Sequence, residues 1–262
     1  MATRDLTALT QPEAEAVLRR SGLVVIPCGS VEQHGPHLPF GTDWYAAESV
    51  AERLAEHLDA LIAPIGPLGV TPFHAAIAGT LTLRPTTFGA VIEDVCHSLV
   101  RHGARRFVLV NWHEGNQAAL NQAALAVQSH HDNAVRFVVV QAMWIAHELV
   151  GQEVGLTHGG AIEALAVLAD HPRLAHLDRA TNPGEPVRAS AVDALRRRRT
   201  TYALVADIRE ITPSGWYGSL EGVTPERGRD MVERVAVRAA EQVRECFDAI
   251  FASEVRDGSA RR

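Results

Sequence analysis

The sequence predicts an α/β fold built on a mainly parallel sheet with helices on both faces. Three observations carry that expectation. Apolar runs of strand length, LVVIP at Leu23–Pro27, RFVLVN at Arg106–Asn111 and Val135–Gln141, read as buried strands. Stretches with the helical spacing of apolar residues alternate with them, the pattern of a parallel sheet whose crossovers cover both faces. A composition of 47% hydrophobic and 21% charged residues supplies a sizeable core for 262 residues.

Taken in order, an amphipathic helix from near Pro12 leads into the first strand. A loop over Cys28 to Thr42 follows, then a helix from about Asp43 (DWYAAESVAERLAEHL). Ala60–Pro64 reads as another strand. A Gly- and Pro-containing loop runs on to Pro85, and Thr86 or Thr87 is the expected cap of a helix reaching His102. Beyond the strand Arg106–Asn111 come a helix over Gly115–His131, the strand Val135–Gln141 and a helix carrying His158–His171. Residues 173–200 read as irregular and end in the run Arg196–Arg199, a solvated helix face or a subunit contact. A strand near Ala203–Ile211 and a long helix over Pro225–Glu254 complete the pattern, with Arg256–Arg262 expected to fray. No repeat or linker divides the chain, so one domain over residues 1–262 is expected.

Composition prunes the chemistry. A net charge of −6 gives no electrostatic footprint for nucleic acid. No uncharged apolar run approaches the ~20 residues of a membrane span. The N-terminus lacks the apolar stretch of a signal peptide, which makes the cytoplasm the expected location. Cys28, Cys96 and Cys246 show no CxxC spacing, against a disulfide framework or a zinc ribbon; Cys28 reads as a packed thiol. All 25 basic residues are arginine. That excludes a Schiff-base or cofactor-anchoring lysine, a Walker lysine and a carbamylated lysine between two metals. Any metal pair here needs a carboxylate bridge.

Polar groups gather after the strands, where open α/β sheets bind ligands. The first strand is followed by Glu32, His34 and His37, then Asp43; the third by Asn111-Trp112-His113-Glu114; the fourth, at the start of a helix, by His158 and Glu163. Glu32 and His34, two apart on an extended segment, project to one side. His113 and Glu163 would converge on them from neighbouring strand ends. Two imidazoles with three carboxylates suit zinc, manganese or iron(II) rather than thiolate chemistry. With Asp43 bridging, the set supports two metals about 3.5–4 Å apart.

The stretch PCGSVEQHGPHLPFGTD resembles the signature of the creatininase family of amidohydrolases. VNWHEGN is similar to that family's strand-end Asn-Gly-His-Gly-Gly-Asn, and HGGAIEA to its His-Ala-Gly-Glu-x-Glu-Thr; GTLTLRPTTF and the segment from Gly218 to Gly228 match in kind and order. The likeness spans roughly residues 20–235. It implies a three-layer α/β/α sandwich, a homo-oligomer (commonly a hexamer) and two divalent ions per chain, zinc ahead of manganese or iron. By the same resemblance Glu32, Asp43 and His113 hold one ion, and His34, Asp43 and one more carboxylate the other. Creatininase places that last acid two residues after the strand-end histidine, where this chain has Gly115, and Ala161 replaces one of the two later acids. Glu163 is the remaining choice, with Glu114, one residue out of register, as its rival.

The implied reaction is hydrolysis of a C–N bond in a small amide, lactam or formamide by a metal-activated water, with Glu163 and His158 as catalytic residues and His158 protonating the leaving nitrogen. His74, Trp112, Trp144 and Trp216 are candidate substrate contacts. Trp112 replaces a glycine beside the metal histidine and narrows the pocket. Arg84 shares the loop of His74, and His37 is a candidate support for a metal ligand. Two other readings stand beside this one: hydrolysis of a C–C bond in a cyclic ketone, and an inactive relative that serves as a biosynthetic scaffold, a reading motivated by Gly115 and Ala161.

Overall fold

The run LVVIPC makes the central strand, β1 (Leu23–Cys28), in which every residue is buried. Leu23 and Val25 face one layer, while Val24, Ile26 and Cys28 face the other, as the period of two requires. β1 is flanked by β2 (Leu61–Ile62) and β3 (Arg106–Asn111), and β3 by β4 (Arg136–Gln141). All pairings are parallel and the order is β2-β1-β3-β4. The structure, a computed structural model, describes residues 4–154, 157–181, 191–192, 194–198 and 200–257.

Helices cover both faces, giving an α/β fold. One face packs α1 (Gln11–Ser21), α3 (Pro85–Arg101) and α4 (Gln117–His130) against Ile26, Phe107 and Leu109. The opposite face carries α2 (Thr42–Leu58), α5 (Ala142–Val154), α6 (Ala161–Asp170) and the long α7 (Pro225–Asp257), packed on Val25, Val108 and Val110. α1 opens on a capping box in which Thr10 and Glu13 satisfy each other's backbone N–H, and it stops at Gly22, whose φ of +58° a side chain would strain. Among the described residues no helix is long and apolar enough to cross a membrane.

Several sequence expectations need correction. The segment near Ala203–Ile211 is not a strand: Leu204 is 91% exposed, and Asp207 accepts from the Arg209 N–H to cap a 3-10 turn over Ile208–Glu210. Its alternating apolar residues serve a small cluster of Ile208, Ile211 and Tyr217 rather than a sheet face. A helix does not carry His158. α5 starts directly after β4, and His158 lies in the loop before α6, its backbone paired with Tyr217 in both directions at 3.0 and 2.8 Å. α3 is entered through Arg84 and Pro85, because proline fits the first helical turn, and neither Thr86 nor Thr87 caps it. The helix expected from Gly115 begins as a 3-10 turn at Glu114–Asn116 before α4. Residues 182–190 of the irregular stretch, Arg199 of the arginine run and residues 258–262 of the tail lie outside the described residues.

The end of α6 is pinned to α2 by a two-pronged ion pair, Arg53 Nη1 and Nη2 to Asp170 at 2.8 and 3.0 Å. Burial alone would raise the Asp170 carboxyl, but hydrogen bonds from Arg53 and Ser49 hold it below its ordinary value. A carboxyl with a depressed folded-state pKa stabilises above its unfolded value and loses that contribution as pH falls through the folded one. Asp170→Asn should therefore cost about 1 kcal/mol at pH 7. In urea titrations the gap from wild type should shrink as pH drops toward about 3; a gap independent of pH would contradict the assignment.

Candidate metal centre

From β1 the chain passes through α2 to β2 on one side, while β3 leads through α4 to β4 on the other. The loops after β1 and β3 therefore part, which opens a crevice at the carboxyl ends of these strands. Glu32 and His34 enter it from the loop after β1, Asp43 from the first turn of α2, His113 from the loop after β3 and Glu163 from the first turn of α6. All five are buried. The backbone has been stripped to bring these segments together. A Cβ on Gly29 would lie 2.5 Å from the Trp44 backbone, and one on Gly69 would strike the Gly29 carbonyl. Asn116 then stitches the loops, donating to the Gly29 carbonyl and accepting from the Val70 N–H, both at 2.8 Å.

Asp43 sits at the centre. Its Oδ1 lies 3.3 Å from His34 Nε2, and its Oδ2 lies 3.0 Å from His113 Nδ1 and accepts from Ser30 Oγ at 2.8 Å. His113 Nδ1 is also 3.3 Å from Glu32 Oε2, and His34 Nε2 is 3.7 Å from Glu163 Oε1. Each ring has its other nitrogen committed. His34 Nδ1 donates to the Glu32 carbonyl at 3.1 Å, and His113 Nε2 donates to the Val70 carbonyl at 3.0 Å. A carbonyl behind an imidazole fixes its tautomer and aims the opposite lone pair, as metal-ligating histidines require.

The donor set fits divalent cations. Glu32 Oε2 and His34 Nε2 are buried without a hydrogen-bond partner among the described residues, and such atoms are costly to bury unless something fills the gap between them. Glu32, Asp43 and His113 bring ligand atoms within 4.8 Å of one another, as do His34, His158 and Glu163.

The protein alone compensates with protons. Burial works against charge on both rings. The Asp43 and Glu163 carboxylates nonetheless hold His34 well above the ordinary histidine value, and Glu32 and Asp43 bring His113 to about 9. Burial likewise opposes ionisation of the acids. In Glu32 it wins, raising the carboxyl to about 6, whereas His34 and His113 keep Asp43 well below its usual range.

A cavity of about 170 Å³ opens above these groups. His74, Trp112, His158 and Glu114 line it together with Glu32, Asp43, His113 and Glu163. Glu114 does not turn toward the other acids: its Oε2 is 2.9 Å from Arg196 Nη2 and 3.2 Å from Arg197 Nε. Trp144 and Trp216 stand away from this lining, Trp144 under the Arg197 guanidinium and Trp216 buried edge-on to His37. His37 Nε2 donates to the Gly159 carbonyl at 2.7 Å, tying the first loop to the approach of α6. Arg84 is exposed, and Cys28 is a buried thiol whose pKa burial pushes up.

The sequence reading missed Gln33, which the structure places under two histidines. Its side-chain Nε2 donates to His74 Nδ1 at 3.0 Å and to the Gly215 carbonyl, while its backbone carbonyl accepts from His158 Nε2 at 2.8 Å. With Nδ1 accepting, His74 carries its proton on Nε2 and offers it to Glu32 Oε1 at 3.3 Å. His158 stacks between His74 and His34, with ring centroids 4.3 and 4.5 Å apart. Burial lowers the pKa of His74 to about 2 and that of His158 well below its ordinary value, so both are neutral. The available signal was the position of Gln33 between two candidate ligands.

The family model described as creatinine amidohydrolase matches residues 7–243. The chain belongs to the creatininase family. It is 29% identical over 226 residues to a creatinine amidohydrolase of Pseudomonas putida, covering 73% of this chain and 86% of that protein. It is 27% identical over 236 residues to a mycofactocin precursor peptide peptidase of Mycobacterium ulcerans, covering 87% and 84%. A solved structure of creatininase in a manganese form superposes with a TM-score of 0.77 at 25% identity, covering 94% of this chain and 99% of that one.

Within this family framework Gly115 has a steric explanation. A Cβ there would strike the Val70 carbonyl and lie 2.6 Å from His113 Nε2, so the loop has closed over the space an acid would need. Gly115→Ala should displace the Val70–His113 hydrogen bond and lower stability by about 1–3 kcal/mol in denaturant titrations. A neutral substitution would show that the loop is loose at this point.

Proposed function

We propose that this protein is a hydrolase that holds two divalent cations, zinc or manganese, and cleaves a C–N bond in a small amide, lactam or formamide. The observation that carries the reading is Asp43, whose two oxygens are divided between His113 and His34, each ring prepared by a backbone carbonyl. Glu32, Asp43 and His113 would hold one ion, and His34, Asp43 and Glu163 the other. The names of the relatives support the reaction class, since one acts on creatinine and another on a peptide.

Two such ions supply a water acidified toward neutrality and polarise the substrate carbonyl. The protein's own part is to position and to move protons. His74 holds one oxygen of Glu32, which leaves the other toward His113. Trp112 walls the cavity with an apolar surface against which a planar amide can lie. His158, its Nε2–H committed to the Gln33 carbonyl, has Nδ1 as its proton-accepting atom. As the water oxygen bonds to the carbonyl carbon, Nδ1 takes the water's proton and passes it to the nitrogen as the C–N bond breaks. The second proton of the water leaves the nascent acid for the amine, so the products are a carboxylate and an ammonium. The depressed pKa makes this ring a ready donor to the nitrogen but a weak acceptor, so the first transfer depends on the water already being acidified.

Dialysed protein loaded with zinc or manganese should bind two equivalents per chain by elemental analysis. Asp43→Ala should lose both, and Glu163→Gln about one. Loaded wild type should hydrolyse at least one compound in a panel of lactams, hydantoins and formamides, read as the acid product formed. His158→Asn should lower that rate by about a hundredfold or more with metal content unchanged. Metal-free protein with full thermal stability would favour the scaffold reading. Bound metal with ring opening of cyclic ketones alone would favour the C–C reading.

A further inference from the structure

Away from the cavity, three histidines converge where α3 and α4 end. The two helices lie side by side and run the same way: a Cβ on Gly89, near the start of α3, would lie 3.9 Å from Ala123 Cβ on α4. His97, further along the Gly89 stripe of α3, therefore meets the end of α4, whose last residue is His130 and whose cap is His131. His97 Nδ1 faces His131 Nε2 at 3.0 Å. The three ring centroids stand 4.6, 4.9 and 5.1 Å apart, and each ring offers a nitrogen within 4.8 Å of the other two. His130 is exposed and the other two are half-buried, so an ion can reach them from solvent. The turn behind them is fixed, with the Asp132 and Asn133 N–H groups donating to the Ser129 and Gln128 carbonyls at 3.2 and 2.8 Å.

We infer that His97, His130 and His131 form a further divalent-cation site, distinct from the cluster around Asp43 and selective for an ion of the zinc class. The ligands are imidazoles alone, which suit zinc, copper or nickel and not manganese, an ion that prefers oxygen. Two nitrogens bound to one zinc at ~2.1 Å, subtending about 90–110°, stand roughly 3.0–3.4 Å apart. The His97–His131 pair is already at that separation. In the protein alone, one of these two nitrogens carries the proton that the other accepts. An ion between them needs both lone pairs, and the donating ring supplies its own by moving its proton to its other nitrogen through solvent. His130 gives the third ligand and water completes the tetrahedron. The field favours a cation, because His130 and His131 stand at the C-terminal, negative end of the α4 dipole. Of the charges acting on His131, Asp132 and Arg105 are opposite in sign, and Arg105 Nη1 donates to the Val100 and Ala104 carbonyls at 2.9 and 2.7 Å. α3 feeds into β3 and α4 into β4, so these helix ends lie at the amino ends of the strands, across the sheet from the crevice. An ion there staples two crossover helices and takes no part in hydrolysis. With three neutral ligands and no carboxylate, the site holds its ion less tightly than the Asp43 cluster would, and it empties on dialysis against metal-free buffer.

Counting bound ions in the presence of free metal tests the assignment. In equilibrium dialysis against micromolar free zinc, wild type should hold one zinc per chain more than His97→Gln. His130→Gln, a change at an exposed ring, should weaken that extra zinc by at least about tenfold, since loss of even a supporting residue costs as much. Free zinc should also raise the melting temperature of wild type a few degrees further than that of His97→Gln. Manganese counts should be the same in all three proteins. Should His97→Gln disturb folding by circular dichroism, His130→Gln decides alone. Equal zinc counts in wild type and a folded His97→Gln, or undiminished zinc affinity in His130→Gln, would overturn the site. A manganese count that falls by one in His97→Gln would overturn its selectivity. The outcome is independent of the hydrolase reading: an Asp43 cluster that took no metal would lower every count alike and leave the difference of one zinc intact.

Discussion

Burying the Asp43 carboxylate constrains everything around it. An ionised carboxylate out of water costs several kcal/mol unless charges or strong hydrogen bonds surround it. Asp43 has Ser30, His34 and His113 within reach, and both histidines are in turn fixed by carbonyls. Glu32 and Glu163 add two further acids at the edges. With three carboxylates around two imidazoles, the cluster is balanced only by bound protons or by cations. The raised pKa values of His34 and His113 reflect the proton solution, and Glu32 Oε2 and His34 Nε2, without a hydrogen-bond partner among the described residues, are where the proposed cations would improve on it.

The scaffold makes such crowding affordable. The candidate ligands come from four separate segments, each anchored at the end of a regular element: the loop after β1, the start of α2, the loop after β3 and the start of α6. Entry at the first turn of α2 and α6 gives Asp43 and Glu163 the favourable end of a helix dipole. Glycines at 29, 69 and 115 let the intervening backbones touch, and Asn116 converts that contact into hydrogen bonds. The cavity above is small and carries two characters, neutral imidazoles over the acids on one side and arginines seated on aromatic rings on the other.

Much of this was legible in the chain. β1 and β3 are apolar runs buried along nearly their whole length, while β4, at the sheet edge, is mostly half-buried; the acids and histidines that follow these strands lie close together in the fold. What the sequence concealed follows physical lines. α5 follows β4 with no Gly, Pro or Asn at the junction, so no turn signal separates the strand from AMWIAHELV. The alternation in TYALVADI imitates a strand, but an exposed Leu204 and the Asp207 cap turn it into a connection to the Ile208 cluster. Gln33 was hidden because its role depends on His74, His158 and Gly215, none of them near it in sequence. The arginines were hidden because a charge run is the usual mark of a solvated face. Only the fold reveals Phe73, Trp144 and Glu114 waiting for them.

The bridging role proposed for Asp43 is tested most directly by electron paramagnetic resonance of protein loaded with two equivalents of manganese(II). A carboxylate shared between two ions couples their spins, so the account predicts the broadened spectrum of an exchange-coupled pair, replaced in Asp43→Ala by signals of free manganese. Loaded wild type showing only the sharp hyperfine pattern of isolated, magnetically independent ions would contradict it.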